Sequence, residues 1–89
     1  MRSHTTERFR HAFSDLPERV QRQARNAYVL FRQNPKHPRL RFRQIHPTRP
    51  IYSIRIGANH RAVGVRDGDE VVWFWIGSHA DYDTLISRL

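Results

Sequence analysis

The sequence predicts an α+β fold, in which an N-terminal helix hairpin packs on one face of a twisted, mostly antiparallel β-sheet. Three observations predict it. Apolar residues repeat with a helical period from Phe9 to Leu16 and again from Val20 to Phe31. From Ile51 to Ile76 the period changes to two. Turn residues punctuate that stretch at Gly57-Ala58-Asn59 and at Asp67-Gly68-Asp69, as hairpins between consecutive strands require. The expected order is β-α-α-β-β-β with a short C-terminal helix.

Residues 2 to 5 are few and polar, with room for a short edge strand. Thr5 or Thr6 then caps a helix whose stripe is Phe9, Ala12, Phe13 and Leu16, ending before Pro17. Pro17 is expected in the first turn of a second helix, with the stripe Val20, Ala24, Ala27 and Phe31, which Asn34-Pro35 stops. So short a link makes an antiparallel helix hairpin. Pro35-Lys36-His37-Pro38 reads as an extended connector, because each proline biases its predecessor away from helix.

Leu40, Phe42 and Ile45 then alternate with Arg39, Arg41 and Arg43, which predicts a strand with one buried and one cationic face. His46-Pro47-Thr48-Arg49-Pro50 turns into the next strand, where Tyr52, Ile54 and Ile56 point one way and Ile51, Ser53 and Arg55 the other. His60 to Arg66 is mixed on both faces, with Arg61, Val63 and Val65 on one. Val71 to Ile76 is apolar on both faces, the mark of a central strand. Strict alternation puts Trp73 and Trp75 on one face, as core or as a stacking or docking surface. After Gly77, Ser78 caps a closing helix with Asp81 three residues on and the stripe Tyr82, Leu85, Ile86 and Leu89.

At 89 residues the chain is expected to form one domain, 1–89, burying ~60% of its unfolded surface. Without cysteine it has no disulfide framework and no thiolate metal site. The histidines at 4, 11, 37, 46 and 60 lack ligand spacing, so neither metal nor any other cofactor is expected. No apolar run nears the ~18 residues of a membrane span, and MRSHTTERFR lacks a signal peptide's apolar core, which predicts a cytoplasmic protein. Charge says more. Between Arg19 and Arg66 there is no Asp or Glu, although ten other cations lie in that interval. All but one of the 16 cations are Arg, whose planar fork matches phosphate oxygens and stacks on bases. Such a block seeks nucleic acid or an acidic protein partner.

The order of short strand, helix hairpin, LRFRQI, YSIRIGANHRAVGV and DEVVWFWIGSHADYDTLI resembles the RelE/ParE superfamily of bacterial toxins from type II toxin–antitoxin pairs. The pieces that carry the resemblance are Tyr52-Ser53-Ile54-Arg55, His60-Arg61-Ala62-Val63 and the ending Ile76-Gly77-Ser78-His79-Ala80-Asp81-Tyr82. RelE-type members cut mRNA in the ribosomal A site, so the resemblance implies that reaction here, with an acidic antitoxin as partner. It also implies that Arg55 and Arg61 hold the scissile phosphate, that Tyr82 orients or transfers a proton, and that His79 occupies a basic position. Ser53 stands where some members carry lysine, and the central strands offer no Glu as base. ParE-like members instead poison DNA gyrase by binding, and a degenerate relative would only bind.

Chemistry supports the same residues. Metal-free RNA cleavage needs a base for the 2′-hydroxyl, cations for the charge growing on the phosphorane, and an acid for the leaving 5′-oxygen. His79 as base, Arg55 and Arg61 as stabilisers, and Tyr82 as acid or orienter fill those roles, with Arg39, Arg41 and Arg43 adding RNA contacts. At a helix start, the dipole and nearby arginines favour neutral imidazole, while Asp81 and Asp83 oppose them. The plain counterparts are that His79 is a surface or capping residue and Tyr82 a core residue. Having both favours nuclease over inhibitor.

Overall fold

The computed structural model describes residues 1–89. In chain order the elements are β1 (Arg2–Thr5), α1 (Glu7–Ser14), α2 (Glu18–Gln33), β2 (Arg43–Gln44), β3 (Ile51–Ile56), β4 (His60–Asp67), β5 (Glu70–Ser78) and α3 (His79–Ser87). The strands form one sheet in the order β1-β5-β4-β3-β2. Every pairing is antiparallel except β1 with β5. The expected α+β architecture is present, with four strands rather than three following the helix hairpin.

The helices form as their stripes predict. Thr6 caps α1, its hydroxyl accepting from the Phe9 N–H at 3.1 Å. Pro17, expected inside α2, instead precedes it as the N-cap in an extended conformation. There its missing N–H is harmless and its carbonyl accepts from the Gln21 N–H at 3.0 Å. Val20, Ala24, Ala27 and Phe31 of α2 are all buried. Phe31 has no exposed surface and meets Phe42 and Trp73 edge-on, with centroids 5.0 and 5.5 Å away. This aromatic knot joins Leu40, Ile54, Ile56, Ala62, Val71 and Ile76 in the main core between helices and sheet.

A smaller core lies on the opposite face, where Ile51, Val63 and Tyr82 pack with Phe74, Trp75, Leu85 and Ile86. Thus α3 covers part of the face that the hairpin leaves open. No helix is long and apolar enough to cross a membrane.

Three expectations need correction. The strand over Arg39 to Ile45 shrinks to Arg43–Gln44. Turns at Asn34–His37 and His37–Leu40 occupy the preceding residues, and Arg41 adopts a left-handed φ of 48° that breaks any alternation. Arg39 and Arg41 therefore stand on a loop beside the sheet, and only Arg43 of the expected cationic row stands on it. Second, Trp73 and Trp75 do not share a face. Val63 pairs with Trp75 and Gly64 with Trp73, which leaves Phe74 as the extra residue of a β-bulge. Trp73 consequently enters the helix-side core while Trp75 turns to Tyr82, 6.3 Å between centroids. Third, α3 stops at Ser87, so Leu89 lies beyond the stripe and is 38% exposed.

Candidate functional site

Strand alternation builds the site on the sheet face that α1 and α2 leave free. In β3, Ser53 and Arg55 follow Ile51 on that face, away from Tyr52, Ile54 and Ile56. Residues directly opposite in an antiparallel pair share a face, and here Arg55 opposes Arg61 and Arg43 opposes Ser53. Three guanidinium groups thus converge. Like charges set directly opposite destabilise a sheet, so this arrangement has no benefit for folding.

Arg61 is the centre of the group. Burial pushes its guanidinium below the ordinary value, and Arg55, Arg43 and Arg41 push the same way while Tyr82 opposes them. It stays charged at any working pH. The arginines that do reach a carboxylate are Arg2, to Glu70, and Arg22, to Glu18, both away from this face. The cluster is an unneutralised cationic surface on a rigid sheet.

Tyr82 supports it from α3. Its ring is 4% exposed and lies under Arg61, with the guanidinium carbon 5.7 Å from the centroid. Its hydroxyl sits 3.3 Å from the Ser53 hydroxyl, both residues being buried. That placement fixes the ring and gives Arg61 a π face to rest on. Arg55 is held differently, its Nε donating to the Gly57 carbonyl at 2.9 Å.

His79 opens α3 and is exposed. Ser78 caps the helix by accepting from the Asp81 N–H at 3.1 Å. The His79 N–H donates to the Asn59 carbonyl at 2.7 Å, which ties the helix start to the β3–β4 turn. The imidazole stands 5.9 Å from the Tyr82 ring, and its Nε2 lies 3.7 Å from an Asp83 carboxylate oxygen. One solvent-facing imidazole therefore borders the arginine cluster.

Of the predicted residues, Arg41, Arg43, Arg55, Arg61, His79 and Tyr82 come together. Arg39 lies apart, on a groove between α2 and the β3–β4 turn. Sequence reasoning missed Ser53 as the partner of Tyr82; its place beside Arg55 in the alternation was the available signal. A second, apolar groove runs between the two helices and the sheet, walled by Phe9, Phe13, Tyr28 and Trp73, with Arg10 and Arg25 at its rim. No three His, Asp or Glu side chains are grouped to hold a metal ion.

The family model for the ParE-like toxin domain matches residues 18–84, from the start of α2 into α3. The chain belongs to this family. The matched stretch contains every member of the arginine cluster together with His79 and Tyr82. Solved structures agree on the fold of this ParE-like domain. The RelB–RelE antitoxin–toxin complex from Methanococcus jannaschii matches with a TM-score of 0.72 at 16% identity, over 91% of this chain and 96% of that one. YafQ from E. coli strain BL21(DE3) gives 0.72 at 9% identity, over 92% and 98%. The isolated E. coli RelE toxin gives 0.64 at 17% identity, over 99% and 98%. No curated protein sequence matches. The RelE/ParE resemblance read from the sequence is correct: this is a toxin of that superfamily.

Proposed function

We propose that this ParE-like toxin cleaves mRNA on the ribosome, without a metal, by attack of a 2′-hydroxyl on the adjacent phosphate. The observation that carries the reading is the convergence of Arg41, Arg43, Arg55 and Arg61 beside His79, with no carboxylate paired to any of the four. A sheet gains nothing from such a cluster, whereas a phosphate gains bidentate, charge-assisted hydrogen bonds. In this reading His79 takes the 2′-hydroxyl proton and the new oxygen–phosphorus bond closes a cyclic phosphate. The 5′-oxygen departs and takes a proton from solvent. Arg61 and Arg55 stabilise the charge that grows on the phosphorane oxygens. Tyr82, with its hydroxyl engaged by Ser53, acts as the orienter of Arg61 rather than as the acid.

The antitoxin belongs to the same reading. The helix-side groove has an apolar wall and two arginines at its rim, which suits an amphipathic segment rich in Asp and Glu. The RelB–RelE structures that this chain resembles in fold are antitoxin–toxin complexes. A second reading, inhibition of DNA gyrase by binding, draws support from the ParE-like family match and from the buried hydroxyl of Tyr82. Expression of the chain alone tests the choice. Growth arrest with new mRNA ends inside codons supports the nuclease; arrest with intact mRNA and inhibited supercoiling supports the gyrase reading.

A further inference from the structure

We propose that the groove between α2 and the β3–β4 turn is a nucleobase-reading subsite, which takes one base of the RNA strand held at Arg55 and Arg61. The inference rests on the RNA-cleaving reading and adds a determinant of sequence preference to it. Three amides line the groove, from Gln23, Asn26 and Gln33. Their spacing of three and seven residues sets them along one stripe of α2. Their side chains make no hydrogen bond within the protein, although other amides do, such as Gln21 to Leu16 and Gln44 to Arg49. An amide offers a donor and an acceptor side by side, the pattern that a base edge presents in return.

The rest of the lining fits the same ligand. Ala27, Leu30 and Leu40 supply an apolar floor, and the volume of about 520 Å³ lies within the ~300–1,000 Å³ of small-ligand sites. Arg39 and Arg55 provide cations for flanking phosphates. Arg55 lines the groove and also, by its register opposite Arg61, belongs to the arginine cluster on the other face, so a strand passing around the sheet edge at Arg55, beyond the short β2, brings its next base to α2. Two close approaches border the groove. The Arg55 N–H donates to the Leu40 carbonyl at 2.7 Å, which anchors the loop carrying Arg39. Gly57, with φ 56°, lies so near Gln23 that a Cβ there would come within 2.6 Å of the amide oxygen.

The test uses the full chain and single-stranded RNA hexamers made uncleavable by 2′-deoxy substitution, intact or with one abasic nucleotide at each position in turn. Binding is read by fluorescence anisotropy for wild type, Arg61→Ala and the double variant Asn26→Ala with Gln33→Ala. Both amides are exposed on a helix where alanine is the better helix former, so folding is retained, and a thermal melt confirms it. Wild type should lose affinity about 10-fold when one particular base is removed, the value of a good bidentate contact. The double variant should bind intact RNA with that same loss and be indifferent to the missing base. Equal binding of all hexamers by wild type, with Arg61→Ala still weakened, would overturn the subsite and leave the RNA reading in place. Absence of RNA binding by wild type would overturn the subsite, while cleavage on programmed ribosomes would still uphold the RNA reading. An acidic peptide weakened by the double variant, while the hexamers are not, would assign the groove to a protein partner and overturn the proposal.

Discussion

At the residue scale Arg61 shows how function and folding pull apart. It is half-buried among three other guanidinium groups and rests on the Tyr82 ring. Replacing it by Met should keep or raise the melting temperature, because a cation leaves a repulsive cluster, while RNA affinity falls at least about 10-fold. A protein that unfolds on this change would show that Arg61 serves the fold. The Ser53–Tyr82 pair makes the converse case. Ser53→Ala or Tyr82→Phe alone leaves a buried hydroxyl unpaired, at ~1–3 kcal/mol, whereas the double replacement should recover part of the loss. Additive losses in denaturant titrations would contradict a direct pairing. Arg55 and Arg61 were legible in the sequence because period-2 alternation assigns faces without further information. The Ser53 partnership was not, since its two members lie 29 residues apart and meet only once α3 folds back.

At the element scale the β5 bulge decides which face each tryptophan serves. Gly64 makes it possible: a Cβ there would lie 2.8 Å from the Trp73 ring, from Val71 and from the Val72 carbonyl. Gly64→Ala should therefore destabilise by ~1–3 kcal/mol, read as a melting temperature lower by roughly 4–8 °C per kcal/mol. An unchanged melt would mean that the bulge yields freely. The β1–β5 junction carries a pH dependence. A hydrogen bond from His4, and then the charge of Arg2, hold the Glu70 carboxyl below its ordinary value. For a depressed carboxyl the contribution is present above the unfolded value, ~4.3, and is lost as pH falls through the folded one. Carboxyl NMR should give a Glu70 midpoint below that value, with β1 amides exchanging faster under acid. The helices were readable because their stripes are long and capped. A bulge adds one residue without changing composition, and the left-handed Arg41 interrupts a run that still alternates on paper.

At the scale of the whole molecule, the carboxylate-free interval between Arg19 and Arg66 folds into α2 and β2 to β4. One run of sequence thus supplies the arginine face on one side of the sheet and, through α2, part of the lining of both grooves on the helix side. Composition made that polarity legible; which arginines converge required the register. The central claim is that the arginine face and His79 form a ribonuclease site. Single-turnover cleavage on programmed ribosomes tests it, with binding measured in parallel for wild type, His79→Ala and Arg61→Ala. His79 opens α3 behind the Ser78 cap, so circular dichroism must show the helix intact. His79→Ala should lose ~10²- to 10⁴-fold in rate with binding retained, as removal of an acid–base group does, and Arg61→Ala should lose both. A folded His79→Ala protein with full cleavage, or a wild type that cuts nothing yet stops gyrase from supercoiling DNA, would contradict the claim.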